Sequence, residues 1–267
     1  GRDWITFHAG GKKETVMGCP DWVMKRPIAH RGLHERSKGI IENSKQAALA
    51  AITRDLAIEC DVQISRDGEA MVFHDETLER LTAATGRVDA MLAQDLSALV
   101  LKGSEDRILR FTDFLAVINK KVGVICEIKS QFDHDRRLVD RALMIAEGYD
   151  GPLAFKSFDP YVVACLKEQA PTRPRGIVSQ SHYRPAEWPG LIVQDLFALE
   201  NLSHWPQTEP HFLSWHVDDL RNAAPSLPRL LAGVPVMAWT VRTQDHLDHA
   251  RLYADQMVFE GLATDLL

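Results

Sequence analysis

A few short stretches of the chain hold residue types that do chemistry, at spacings that fix where the side chains point. "RPIAHRG" (26–32) ends a brief apolar run on His30 and Arg31, a proton-transfer group beside a permanent cation. "IECDV" (58–62) sets Glu59 and Asp61 two apart, and "CEIKS" (126–130) does the same for Glu127 and Lys129. In an extended strand each of these pairs shares one face. "VFHD" (72–75) adds His74. Brought together inside a fold, Glu59, Asp61 and Glu127 need partners or a metal, because an uncompensated buried charge is costly. Oxygen-only ligands suit a hard cation such as Mg²⁺ or Ca²⁺ rather than zinc. The same acids also suit a salt-bridge network with Arg31 and Lys129, and spacing alone leaves both arrangements open.

The elements that must position these residues read as alternating strands and helices. Strand-type runs occur at 27–30, 56–64, 70–75, 122–129, 153–158, 176–179, 211–215, 234–241 and 256–261. Helical patterns fall between most of them: "ENSKQAALAAITRD" with Asn43 or Ser44 as N-cap, "FTDFLAVINKK", "DRRLVDRALMIAEG", "YVVACLKEQA" and "TQDHLDHARLYA". This is the pattern of an α/β fold with a mainly parallel sheet. One gap has no helix: only "RDGE" separates "ECDVQIS" from "AMVFHD", and Asp-Gly between two alternating runs signals a hairpin. With Asp67 and Gly68 as a two-residue turn, Arg66 faces Glu69 and Asp61 falls opposite His74. Glu59, Asp61 and Gln63 then share a face with His74, while Ile58, Cys60, Val62 and Ile64 point the other way. If one hairpin arm is not a stave, eight runs remain, which suits a (β/α)₈ TIM barrel. In such barrels functional residues gather where the strands end at their carboxyl side, and His30, Arg31, Glu127 and Lys129 stand at strand ends.

Composition sets the outer limits. With 267 residues, 45% of them hydrophobic, the chain can bury one large core, so a single domain over 20–267 is expected, preceded by a loose arm at 1–19 that has no clear period. A net charge of -6 gives no general attraction to nucleic acid or anionic lipid. No apolar run approaches the ~18 residues of a membrane span, so no stable membrane insertion is expected, and the beginning does not resemble a signal peptide. Cys19, Cys60, Cys126 and Cys165 are scattered without Cys-x-x-Cys spacing, which points to reduced thiols and a cytoplasmic location. Gly1 reads as an expression remnant or a cut site, so an earlier removed leader stays compatible with the chain.

"AHRG", "ENS", "IECDVQISRDGEAMVFHDETLERLT", "EIKS", "SFDP" and "WTV" occur in this order between residues 28 and 241. The series resembles the glycerophosphodiester phosphodiesterase family, and "GLATD" is similar to that family's closing segment. The resemblance implies a TIM barrel with a small insertion after the hairpin, about 76–110, and one divalent cation, Mg²⁺ or Ca²⁺. It implies His30 and His74 as the catalytic pair and Glu59, Asp61 and Glu127 as metal ligands. Arg31 and Lys129 match phosphate-contacting positions, and Trp239 matches an aromatic residue of the pocket wall.

Hydrolysis of a phosphodiester requires charge neutralisation on the nonbridging oxygens, a deprotonated nucleophile and a protonated leaving group. A metal, Arg31 and Lys129 meet the first need, and two histidines meet the others. By resemblance, the glycerol 2-hydroxyl attacks phosphorus, a cyclic phosphate forms, and water opens it to glycerol 3-phosphate. The substrate expected is a small-molecule glycerophosphodiester. Two alternatives compete: lysophospholipase D-like hydrolysis of lysophospholipids, which needs an exposed apolar entrance, and a noncatalytic barrel that binds a phosphorylated ligand. Loss of a catalytic residue would favour the latter, and none is lost.

Other residues read more plainly. His34 and His134 read as local loop or helix-start histidines, and Trp188, Trp205 and Trp215 as packing or loop anchors. Glu42 and Asn43 suit loop fixing as well as substrate contact. Three features depart from the family pattern: Arg242 after "WTV" adds a cation at the rim, "ENSKQAA" lacks the usual aromatic residue, and the basic loop "LHERSKGII" has the length to cover a head group.

Overall fold

The computed structural model of the protein describes residues 18–267; most of the arm expected at 1–19 lies outside the described residues. Its strands, in chain order, are β1 (Ile28–Ala29), β2 (Ala57–Ile64), β3 (Ala70–Val72), β4 (Leu109–Arg110) and β5 (Val124–Ile128). They continue with β6 (Leu153–Ser157), β7 (Arg175–Ser179), β8 (Phe212–His216), β9 (Val236–Val241) and β10 (Gln256–Phe259). β1 pairs in parallel with both β10 and β2, which closes β1, β2 and β5 to β10 into a ring. Helices between successive staves complete a (β/α)₈ TIM barrel. β3 hangs antiparallel from β2 and β4 from β3, so the second hairpin arm is not a stave.

Period-two alternation assigns each strand residue to the lumen or to the helices. Ile28, Ala57, Ile125, Ala154, Phe212, Met237 and Val258 fill the floor of the lumen with Val23, from the helix Asp21–Lys25. Their strand neighbours Ile58, Cys126, Phe155, Leu213 and Ala238 face the helices in the main core. Gly176 has no side chain because the Phe212 ring occupies its place: a Cβ there would lie 2.2 Å from that ring. Two residues further along each strand the same inward register delivers Glu59, Glu127, Lys156 and Ser214, so the floor and the polar layer come from one alternation.

The hairpin register differs from expectation by one residue. Val62 pairs with Val72, Gln63 with Met71 and Ile64 with Ala70, so the loop is the three residues 66–68 and Asp61 lies opposite Phe73, not His74. The Asp67 side chain accepts bonds from Ser65 Oγ (2.7 Å) and the Ala93 amide (2.8 Å), which draws it out of a tight turn. Gly68 takes the left-handed position, φ +82°, that such three-residue loops require. Met71 and Phe73 therefore face the segment 73–108, packing with Ile41, Leu78, Leu81, Val88, Leu96, Leu101 and Ile108 in a second cluster. β3 stops at Val72, and His74 reaches the lumen rim from the turn that follows.

Helix starts follow their signals. Ser44, rather than Asn43, caps Lys45–Thr53 by accepting from the Ala47 amide, and Asp159 caps Pro160–Gln169. Helices Val193–Glu200 and Ala223–Ala232 were not legible in the sequence; the second carries Pro225 and Pro228, which disguise its period. No helix among the described residues is long and apolar enough to cross a membrane.

Candidate metal centre and active site

The carboxyl ends of β1, β2, β5, β6 and β10 converge on one polar cluster. Asp61 and Glu127 are direct neighbours across the β2–β5 ladder, and Glu127 and Lys156 across β5–β6. Glu59, Asp61 and Glu127 are buried, and one oxygen of each lies within 4.8 Å of the others. Three cations stand among them. Lys129 Nζ is 2.6 Å from Glu127 Oε1 and 3.0 Å from Asp61 Oδ1. Lys156 Nζ is 3.1 Å from Glu59 Oε1 and 3.4 Å from Glu127 Oε2. Arg31 Nε is 3.4 Å from Asp61 Oδ2, and the Arg31 amide donates to Glu59 Oε2 at 3.1 Å.

Opposed charges at these distances outweigh desolvation. Burial pushes the Asp61 carboxyl up, but Lys129, His74 and Arg31 hold it well below the ordinary carboxylate range. Glu127 is lowered likewise, Lys129 and Lys156 overcoming burial. Both lysines are raised, because nearby carboxylates exceed the cost of burying an ammonium. Asp61 and Glu127 are thereby charged and ready to act as ligands.

A divalent cation fits these residues. The donor set is all oxygen, and Glu59 Oε1 is buried without a hydrogen-bond partner. Asn43 holds the set still: its Nδ2 donates to Asp61 Oδ2 at 2.9 Å, and its Oδ1 accepts from the Asp61 amide at 3.2 Å. Asn43 thus ties its loop to Asp61.

Gly32 explains the tight run "HRG". It has φ +80°, and a Cβ there would come within 2.8 Å of Ala47 Cβ, on the helix Lys45–Thr53. Arg31, also left-handed at φ 57°, turns its side chain back toward the acids.

Both histidines are anchored through Nδ1. His30 Nδ1 is 2.8 Å from Glu260 Oε2, at the end of β10, and its Nε2 is 4.0 Å from Glu59 Oε2. A carboxylate only accepts, so Nδ1 carries the hydrogen and Nε2 faces the acids. The bond from His30 is the main reason the Glu260 carboxyl is held at about 2, with Arg242 and His34 adding to it. His74 Nδ1 is 2.8 Å from Asp75 Oδ1, and Gln63 Nε2 donates to the His74 carbonyl at 2.9 Å. Asp75 is lowered even though burial raises it, because His74 and Arg80 donate to it.

A cavity of about 350 Å³ opens beside the centre, lined by His74, Glu127, Lys129, Gln180 and an aromatic wall of Phe132, Phe158, Trp188 and Trp239. Trp239 donates to the Ser214 carbonyl at 2.9 Å and meets Phe158 edge-on, ring centres 5.5 Å apart. Trp188, read from the sequence as a packing anchor, also lines this cavity.

His30, Arg31, Glu59, Asp61, His74, Glu127, Lys129 and Trp239 are therefore all in or beside one cluster. Sequence reasoning missed Lys156, Glu260, Asp75 and Arg80. Two carried a signal: Lys156 in "LAFKSF" is a lone charge in an apolar strand, and Glu260 in "QMVFEG" has the inward register of Val258. Arg242 pairs with Glu260 at 2.9 Å rather than adding a free cation to the rim. The basic loop folds back on itself through an Glu35–Ile40 bridge, and no residue from it lines the cavity.

Fold and site together define a TIM barrel with an acidic, hard-cation-type centre flanked by two carboxylate-anchored histidines. The chain belongs to the glycerophosphoryl diester phosphodiesterase family, whose model matches residues 30–266. A glycerophosphodiester phosphodiesterase of Caldanaerobacter subterraneus is 28% identical over 163 residues, covering 57% of this chain and 66% of that relative. Among solved structures, a phosphodiesterase from Oleispira antarctica, in complex with the product sn-glycerol-3-phosphate, superposes with a TM-score of 0.71. It is 21% identical, with 89% of this chain and 94% of that one covered. The glycerophosphodiester phosphodiesterase of Thermotoga maritima gives a TM-score of 0.62 at 20% identity, covering 87% and 92%. At these identities the superpositions establish the fold.

Proposed function

We propose that the protein hydrolyses glycerophosphodiesters to glycerol 3-phosphate and an alcohol with the aid of one divalent cation, Mg²⁺ or Ca²⁺. The observation that carries this reading is the meeting of Glu59, Asp61 and Glu127 with two histidines, each tied at Nδ1 by its own carboxylate. When bound, the cation supplies positive charge to a phosphate oxygen and lowers the pKa of a hydroxyl close to it. Arg31 and Lys129 add fixed charge on the phosphate, and Trp239 shapes the pocket wall. His30 takes the proton of the glycerol 2-hydroxyl, which attacks phosphorus, and His74 gives a proton to the departing alkoxide. Water then opens the cyclic phosphate with the two roles exchanged. We place the protein in the cytoplasm, as free Cys19, Cys60, Cys126 and Cys165 suit a reducing compartment.

One observation favours a second reading, hydrolysis of lysophospholipids. The segment that sends Trp188 into the aromatic wall continues to Ile192, Val193 and Phe197, which are 61%, 71% and 61% exposed. An acyl chain suits such an exposed apolar surface. The deciding assay is release of glycerol 3-phosphate, or of its acylated form, from glycerophosphocholine, glycerophosphoethanolamine, glycerophosphoinositol and lysophosphatidylcholine, each with EDTA, Mg²⁺ or Ca²⁺. Metal-dependent turnover of a water-soluble diester is expected. Turnover of the lysolipid alone selects the second reading, and silence on all four rejects both.

The acid triad makes its own prediction. Glu127→Gln keeps shape and removes a charged ligand, so half-maximal activity moves to a cation concentration at least about tenfold higher. An unchanged metal titration removes Glu127 from the metal shell.

A further inference from the structure

We propose that Arg80, carried by the segment after the hairpin, is a positioning residue that ties Arg31 to His74. The proposal rests on the functional reading above, in which Arg31 holds the phosphate and His74 moves a proton. Arg80 uses two edges of its guanidinium. Toward Glu42, Nη1 donates to Oε2 at 2.8 Å and Nη2 to Oε1 at 2.7 Å. Toward Asp75, Nε donates to Oδ2 at 2.5 Å and Nη2 to Oδ1 at 2.9 Å. Each carboxylate then holds one site residue: Glu42 Oε1 accepts from Arg31 Nη1 at 2.7 Å, and Asp75 Oδ1 binds His74 Nδ1 at 2.8 Å. A continuous line runs Arg31, Glu42, Arg80, Asp75, His74.

The two ends depend on it. Glu42 is the only side-chain hydrogen-bond partner of the Arg31 guanidinium among the described residues, and the Arg31 Nε has none. Asp75 is likewise the only side-chain hydrogen-bond partner of the His74 ring among them. Without Arg80, two carboxylates face each other across the gap and swing outward, turning Arg31 and His74 with them. Lysine cannot replace it, because a point charge lacks the two bidentate edges. The Arg80 side chain is 41% exposed, so its pairs contribute little to global stability. Its effect belongs to geometry.

The test is a kinetic and binding series on the full chain. Arg80→Ala should lower kcat about tenfold or more through His74 and raise KM several-fold through Arg31, with Tm within a few degrees of wild type. In a His74→Ala background the kcat effect of Arg80→Ala should vanish while the KM effect stays. Guanidinium ion at millimolar concentration should restore part of the Arg80→Ala activity, and Arg80→Lys should remain impaired. An equal kcat loss in the His74→Ala background, or full activity in Arg80→Lys, overturns the proposal. Should the wild type hydrolyse no diester, the functional reading fails by itself. Calorimetric binding of glycerol 3-phosphate then decides the Arg31 arm: weaker binding by Arg80→Ala at unchanged Tm upholds the link, and equal binding overturns it.

Discussion

Replacing His30 or His74 by Ala is expected to lower kcat by at least ~10²-fold, the scale of losing a general acid or base, while the fold survives. Survival follows from placement. The side chains stand at the open end of the barrel, His30 11% and His74 31% exposed, and neither belongs to an apolar cluster, so truncation opens no cavity in the apolar core. The two losses differ in kind. If His74 protonates the departing alkoxide, a diester with an acidic leaving group such as p-nitrophenol needs no such help, so His74→Ala should recover most of its rate on that substrate. His30→Ala should not recover, because the attacking hydroxyl still needs its base. Equal recovery of both variants exchanges or removes the assigned roles, and near-normal turnover of either on a natural diester removes that residue from the chemistry.

The same two residues show how far the sequence could be read. His30 was legible because a strand ends on it, and its anchor was not, because Glu260 lies 230 positions away and meets it only when β10 closes against β1. His74 was placed correctly from a register that is wrong by one. Strict alternation from the true register, with Asp61 opposite Phe73, sends His74 to the other face; only the end of β3 at Val72 frees the chain to bring it back. The triad was legible because Glu59 and Asp61, and Glu127 with its Lys129, obey period two within single strands. Lys156 obeys the same rule and stands out as a lone charge in an apolar strand, but its partners Glu59 and Glu127 are on other strands, so the local pattern does not say what it meets. Arg80 is hardest to see, since its role requires that residues 73–108 fold back beside Glu42. Local pattern thus specified which way side chains point, and long-range closure decided what they meet.

Lys156→Met is expected to destabilise the metal-free protein by about 3–5 kcal/mol, the cost of breaking a buried ion pair. At roughly 2–4 °C per kcal/mol for a chain of this size, Tm should fall by about 6–20 °C. The reason is a charge count that balances only with this residue present: Glu59, Asp61 and Glu127 face Arg31, Lys129 and Lys156. Methionine keeps the length of the stem and removes the ammonium, leaving Glu59 Oε1, which already lacks a hydrogen bond, with no cation nearby. A divalent cation reverses the outcome. In the wild type it must enter a cluster already neutralised by three side chains, whereas in Lys156→Met it meets a site with one uncompensated negative charge and should bind more tightly. Mass action then restores about 2.7 kcal/mol when the free cation is a hundred times its Kd. Thermal unfolding of both proteins against Mg²⁺ and Ca²⁺ therefore separates the two arrangements that spacing alone left open. A larger cation-induced rise in Tm for the variant than for the wild type identifies a metal centre in which Lys156 balances charge when the metal is away. A destabilised variant that no cation rescues identifies a permanent salt-bridge network, in which the acids serve the fold and the catalytic reading loses its metal.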